Sequence, residues 1–142
     1  MLSDEGLGPQ AVERLVQSGL PENVKAYDAG VSLSTMLSLC EGFDKMVIVD
    51  AVRGGGRPGD IYRFTLEELE QDKNLDLSFK LSLHEIDVPK AIALERLVAR
   101  LPEEIVVVGM EPESMTPGME LSATVAGRME SLLAKIREEL DK

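Results

Sequence analysis

The chain has one cysteine, one histidine and no tryptophan among its 142 residues, with 3 Phe and 2 Tyr. Each scarcity excludes something. A lone Cys40 cannot close an internal disulfide, so a disulfide-stapled secreted scaffold is ruled out and a reducing, cytoplasmic setting is expected. Cys40 follows Leu37 and Leu39 and reads as a small buried hydrophobe. No apolar stretch approaches the roughly 20 residues of a bilayer-spanning helix, and the N-terminus shows no secretion-signal pattern; no membrane insertion is expected. Basic residues are also few, 15 against 26 acidic ones, for a net charge of −11. Such a surface repels phosphate backbones, and there is neither a basic stripe nor an aromatic platform, so no nucleic-acid partner is expected.

What is present is an alternation of helical and strand patterns, with 44% hydrophobic residues. That suffices for one core, and a single domain over residues 1–142 is expected. Pro9 stands in the opening turn of a helix whose face is formed by Val12, Leu15 and Val16 and which stops at Gly19. Val24 to Tyr27 reads as a short strand, and a helix follows from Ser34 to Glu41. Met46-Val47-Ile48-Val49 is an apolar, β-branched run typical of a parallel strand covered on both faces. Asp60 to Phe64 is another strand, entered through the turn-rich Arg53-Gly54-Gly55-Gly56-Arg57-Pro58-Gly59. Glu67 to Asp76 is acidic and weakly helical. Asp87 caps a helix with Leu94, Leu97, Val98 and Leu101 toward the core. Ile105 to Met110 is the second buried strand, and a loop from Glu111 to Glu120 leads to a last helix with Val125, Met129, Leu132, Leu133, Ile136 and Leu140 in one stripe. The fold class expected is α/β: three layers, a twisted, mostly parallel sheet with helices on both faces.

In such sheets, sites form outside the carboxyl ends of the strands. Asp50 follows four apolar strand residues, and the residues after it do not open a helix, which favours a site residue over a cap. His84, in Ser82-Leu83-His84-Glu85, is the one imidazole, and Glu5 lies in a loop-like segment at the start. One imidazole and two carboxylates suit zinc or nickel and leave positions open for water or substrate. A second chemistry stays open, a carboxylate dyad drawn from Glu5, Asp28 and Asp50, which leaves His84 idle. Gly54-Gly55-Gly56 lacks the Lys-Ser/Thr of a phosphate-binding loop and reads as a flexible hairpin connection. Ser82 lies near His84 but in no nucleophile-elbow context. No motif for an organic cofactor is present, and nothing in the residues specifies an oligomeric state.

Five segments together resemble the hydrogenase maturation endopeptidases, which process the large subunit of nickel-iron hydrogenases. Leu2-Ser3-Asp4-Glu5-Gly6-Leu7-Gly8 is similar to the family's Asp-Glu/Asp-Gly-x-Gly segment, and Asp28-Ala29-Gly30 to its Asp-Gly-Gly, with Ala29 for the middle glycine. Val47-Ile48-Val49-Asp50-Ala51-Val52 with Gly56-Arg57-Pro58-Gly59 resembles the strand-Asp-Ala segment and Gly-x-Pro-Gly turn. Ser82-Leu83-His84 resembles the Ser-x-His segment, and Glu111-Pro112-Glu113-Ser114 through Gly118 and Leu121-Ser122 resembles the C-terminal Pro-Glu-Ser…Gly…Leu-Ser motif.

The resemblance implies a phosphorylase/hydrolase-like sheet and a peptidase that removes a C-terminal extension from the hydrogenase large-subunit precursor after nickel insertion. The metal-binding and catalytic roles fall on Glu5, Asp50 and His84, with Asp28 helping to orient the site. The nickel is that held by the precursor. The family's apolar first strand, ending in Gly-x-Gly-Asn, has no counterpart before Leu2, so the expectation is a late-set start or a truncated form. Two alternatives accompany this reading: a nickel-dependent checkpoint protein that binds the precursor without cutting it, and a peptidase related by ancestry only, acting on unrelated proteins.

Overall fold

The computed structural model describes residues 7–27, 42–65, 68, 76–77, 102–113 and 121–141. Its elements are α1 (Leu7–Ser18), β1 (Lys45–Arg53), β2 (Ile61–Thr65), β3 (Asp76–Leu77), β4 (Glu104–Met110), α2 (Ala123–Gly127) and α3 (Met129–Leu140). The strands form one sheet in the order β2-β4-β1-β3. β1 and β4 run parallel, from Lys45 beside Glu104 to Ala51 beside Met110. β2 is antiparallel to β4, with Phe64 beside Val107 and Tyr62 beside Gly109. β3 is antiparallel to the end of β1, at Val52 and Arg53. Helix–strand alternation announces the parallel pair; the two antiparallel strands are invisible to it, because a short polar strand carries no signature of direction.

The two apolar runs are the parallel pair because they are buried on both faces. One face of the sheet packs against α1, α2 and α3: Val106, Val108 and Met110 of β4 and Ala51 of β1 meet Leu7, Ala11 and Leu15 of α1 and Val125, Met129, Leu132, Leu133 and Ile136 of α2 and α3. The opposite face carries Met46, Ile48, Val52, Ile105, Val107 and Phe64, all buried, with Asp50 among them. Burying a side chain of the Val, Leu, Ile or Met kind contributes about 1.5–3 kcal/mol, so this interleaving of helix stripe and strand is where the stability lies.

α1 presents Leu7, Gly8, Ala11 and Leu15 to the sheet, a stripe at four-residue spacing. Val16 falls off that stripe and is 54% exposed, against the expectation that it faces the core. A Cβ at Gly8 would stand 2.7 Å from the carbonyl oxygen of Val49, so the absence of a side chain lets the first turn of α1 lie directly on β1. Val24 to Tyr27 form no strand; the chain turns there, with the Val24 N–H donating to Pro21 O at 3.0 Å. β1 continues through Ala51, Val52 and Arg53, so Asp50 stands inside a strand rather than at its end. Asp76, expected at the end of a helical stretch, opens β3. The last helix is two: the chain breaks at Arg128, with Ser122 capping α2 through its hydroxyl. The stripe predicted for it holds, except that Leu140 is only half-buried while Glu139 is fully buried. The helices expected at 34–41 and at 87–101 lie outside the described residues.

Candidate active site

β1 and β4 carry their carboxyl ends to the same edge of the sheet, and each ends its apolar run on an acid: Asp50 after Val49, Glu111 after Met110. Asp50 is 6% exposed and Glu111 is 7% exposed. Parallel register sets Asp50 beside Gly109, where a Cβ would overlap the Val52 side chain and come within 2.7 Å of the Asp50 carbonyl oxygen. A side chain at position 109 would therefore press on the strand at the candidate site residue. A buried carboxylate flanked by Ile48 and Val52 on its own face gains nothing for packing, which is the physical argument for a chemical role.

The loop from Arg53 to Ile61 spans the same edge. β4 lies between β1 and β2, so this connection passes over the end of β4 and is not the hairpin that the sequence suggested. Nor is it slack. One oxygen of Glu111, Oε1, accepts from the Gly54 N–H at 2.9 Å, the Gly56 N–H at 3.1 Å and the Tyr62 hydroxyl at 2.8 Å. The Gly56 N–H also reaches the Tyr62 hydroxyl, at 2.9 Å. The Glu111 backbone completes the attachment: its carbonyl accepts from the Gly59 N–H at 2.9 Å, and its N–H donates to Asp60 O at 2.8 Å. The glycine run is thus an anion cradle filled by the protein's own carboxylate. Tyr62 explains the glycines, since its ring and hydroxyl occupy the space where Cβ atoms of Gly54 and Gly56 would go. Burial, and then the hydrogen bond to Glu111, raise the Tyr62 hydroxyl above its usual pKa of 10.0.

Pro58 and Gly59 close the loop. The Asp60 N–H donates to Arg57 O at 2.9 Å, and Gly59 has φ 91°, the arrangement of a type II turn with proline and glycine in its central positions. Between this loop and the end of β4 opens a cleft of about 280 Å³ lined by Arg53, Gly55, Glu111, Pro112 and Glu113.

Of the residues singled out in the sequence, Asp50 lies inside β1, toward this edge; Glu5, Asp28 and His84 lie outside the described residues, as do Cys40 and Ser82. Among the described residues no group of three His, Cys, Asp or Glu side chains is gathered as a metal site, and no helix is long and apolar enough to cross a membrane. Glu111 went unremarked as an anchor, although it bears the mark that singled out Asp50: an acid directly after a buried, β-branched strand.

Comparison with known proteins gives the family of the chain. Residues 9–139 match the family described as HycI, hydrogenase maturation protease. The chain belongs to the hydrogenase maturation protease family. The hydrogenase 2 maturation protease of Escherichia coli is 29% identical over 97% of this chain and 85% of its own length. The hydrogenase expression/formation protein HupD of Rhodobacter capsulatus is 28% identical over 97% of this chain, which spans 65% of that protein. In three dimensions the chain is similar to the E. coli hydrogenase maturating endopeptidase HybD, with a TM-score of 0.80 and 27% identity over 99% of this chain and 85% of the other. The mixed α/β sheet with its helices is thus the fold of hydrogenase maturation proteases, and the family is one of peptidases.

Proposed function

We propose that this protein is an endopeptidase that removes the C-terminal extension of a nickel-iron hydrogenase large-subunit precursor after nickel has been inserted. The observation that carries the reading is Asp50: a buried carboxylate within a parallel strand, toward its carboxyl end, in a chain of this family.

In this reading the precursor brings the nickel, and Glu5, Asp50 and His84 engage it; imidazole and carboxylate oxygens are donors that nickel accepts. Their engagement docks the scissile peptide bond at the sheet edge. Water then attacks the peptide carbonyl with a carboxylate taking its proton; the C–N bond breaks as the same carboxylic acid returns that proton to the leaving amine, and Asp28 orients the site. The cleft between the loop and Pro112 receives the extension. A cytoplasmic location belongs to the same proposal.

The test is intact-mass analysis of a hydrogenase large-subunit precursor incubated with the protein, with and without nickel loading. The expected result is loss of a C-terminal peptide from the nickel-loaded precursor alone. Complex formation without a mass change, by a protein shown to be folded, overturns the reading in favour of a checkpoint protein. Cleavage indifferent to nickel overturns it in favour of a peptidase with other substrates.

A further inference from the structure

We infer that Glu111 is a positioning residue for precursor processing: its carboxylate holds the loop at 54–59 as a fixed wall of the cleft in which the C-terminal extension docks. The inference rests on the function proposed above.

Three consecutive glycines make the most conformationally costly kind of segment to order, each having more freedom to lose than any other residue. The loop is also exposed at Gly54, Gly55 and Gly56, so no apolar burial holds it. Asp60 takes the Arg57 N–H and Arg128 reaches the Gly59 carbonyl at the far end of the loop, but the residue that gathers most of its hydrogen bonds is Glu111. The side chain of Glu111 takes the amides of Gly54 and Gly56 and the hydroxyl of Tyr62, and its backbone takes Gly59 and Asp60. A hydrogen bond to an ionised acceptor is about twice as strong as a neutral one, and this acceptor is 7% exposed.

The placement gives that order a use. Glu111 directly follows β4, the strand paired with β1 at Asp50, so the loop it fixes stands at the sheet end toward which the candidate chemistry lies. Gly55, between the two anchored amides, lines the cleft, and nothing lies within 4 Å of the position a Cβ would take there. An extended peptide can therefore lie directly on the backbone at Gly55, a close approach that a side chain would prevent. A wall fixed before substrate arrives spares the complex the entropy of ordering it. Glu111 acts on docking through the loop and not on the bond that breaks.

The experiment compares the wild type with Glu111→Ala, Glu111→Gln and Tyr62→Phe in two readouts. The first is hydrogen exchange of the Gly54 and Gly56 amides by NMR; the second is the steady-state KM and kcat for nickel-loaded precursor. Glu111→Ala is expected to speed both amides at least tenfold and to raise KM about tenfold with kcat within about twofold, the scale of a lost charged hydrogen bond. Glu111→Gln keeps an acceptor oxygen and is expected to restore most of both. Fast amides with an unchanged KM in Glu111→Ala, or a fall confined to kcat, overturns the inference. So does a Glu111→Gln variant as impaired as Glu111→Ala. Should Glu111→Ala fail to fold, Tyr62→Phe carries the test: KM rises about threefold, or the inference fails. A wild type that does not process the precursor removes the proposed function instead. The docking role is then read from the dissociation constant for the precursor, which rises in Glu111→Ala if the role is real and stays level if it is not.

Discussion

Arg63 on β2 donates its Nε to Oε1 of Glu139 on α3 at 2.6 Å, and the Glu139 carboxylate is completely buried. Lys45, the first residue of β1, holds the other oxygen at 3.1 Å and the Glu139 backbone carbonyl at 2.7 Å. A charge sits where the apolar stripe of α3 would call for a hydrophobe, and two strands supply the countercharges. This hydrogen bond holds the Arg63 guanidinium above its ordinary pKa, so Arg63 stays charged at any working pH. The cluster ties the final helix to the amino end of β1, the opposite end from Asp50.

Replacing Glu139 with Ala takes the carboxylate from Arg63 and leaves Lys45 with the Glu104 carboxylate, at 3.4 Å, beside a new cavity. Breaking a buried ion pair from one side costs about 3 kcal/mol or more. The expected outcome is a lower urea midpoint with an unchanged kcat/KM for precursor processing below the transition. A matching loss of activity in the folded protein would show that the two ends of β1 are coupled.

Gly109→Ala tests the other end of that strand pair. The added methyl meets the Val52 side chain and the Asp50 carbonyl oxygen, and the backbone part of the clash has no flexible way out. Overpacking of this kind costs about 1–3 kcal/mol, and here it also shifts Asp50. Both the melting temperature and processing should fall. Adding Val52→Ala is expected to recover part of the stability, since it removes one of the two clashes, but not the activity, because the Asp50 clash remains.

Tyr62 makes the loop sensitive to alkali. Its folded pKa is raised above 10.0, so its contribution to stability is fully present below pH 10 and is lost as pH climbs through the folded value. Deprotonation removes the donor to Glu111 and sets a phenolate against a carboxylate. The chain has two tyrosines, so ultraviolet titration of Tyr27→Phe reads Tyr62 alone. A midpoint above that of free tyrosine is expected, and Glu111→Ala should bring it back down. A midpoint at 10 in Tyr27→Phe would mean that the hydroxyl does not hold Glu111 in solution.

The parallel strands were legible in the sequence because a strand buried on both faces reads as an apolar, β-branched run, and among the described strands Met46 to Val49 and Ile105 to Met110 are such runs. Direction was not legible for β2, whose mixed Ile-Tyr-Arg-Phe-Thr is what an edge strand of either sense looks like. Val24 to Tyr27 misled for a related reason: a short apolar stretch next to turn residues fits a strand locally, but the N–H of Val24 closes a turn on Pro21 instead. Asp50 stands out in the sequence from its position after an apolar run, although the strand continues past it to Arg53. The loop's rigidity was not legible, since glycine content measures only the freedom of the unfolded chain. What restrains it is Glu111, at a separation of 57 residues from Gly54.

The sharpest division between the two chemistries left open by the residues comes from His84. If Glu5, Asp50 and His84 together engage the nickel of the precursor, then Glu5→Gln, Asp50→Asn and His84→Ala should each lower processing about 100-fold or more, with unchanged circular dichroism. All three should also weaken binding of nickel-loaded precursor while leaving binding of the nickel-free form as it was. If a carboxylate dyad does the work instead, Asp50→Asn and Asp28→Asn abolish cleavage while His84→Ala cleaves normally. The dyad also predicts a rate that falls as pH rises past the shared proton's loss, whereas the nickel reading predicts a rate that falls as pH drops and the imidazole protonates. Measuring the pH profile of Asp28→Asn beside that of the wild type separates them, because a dyad partner abolishes the profile and an orienting residue only scales it.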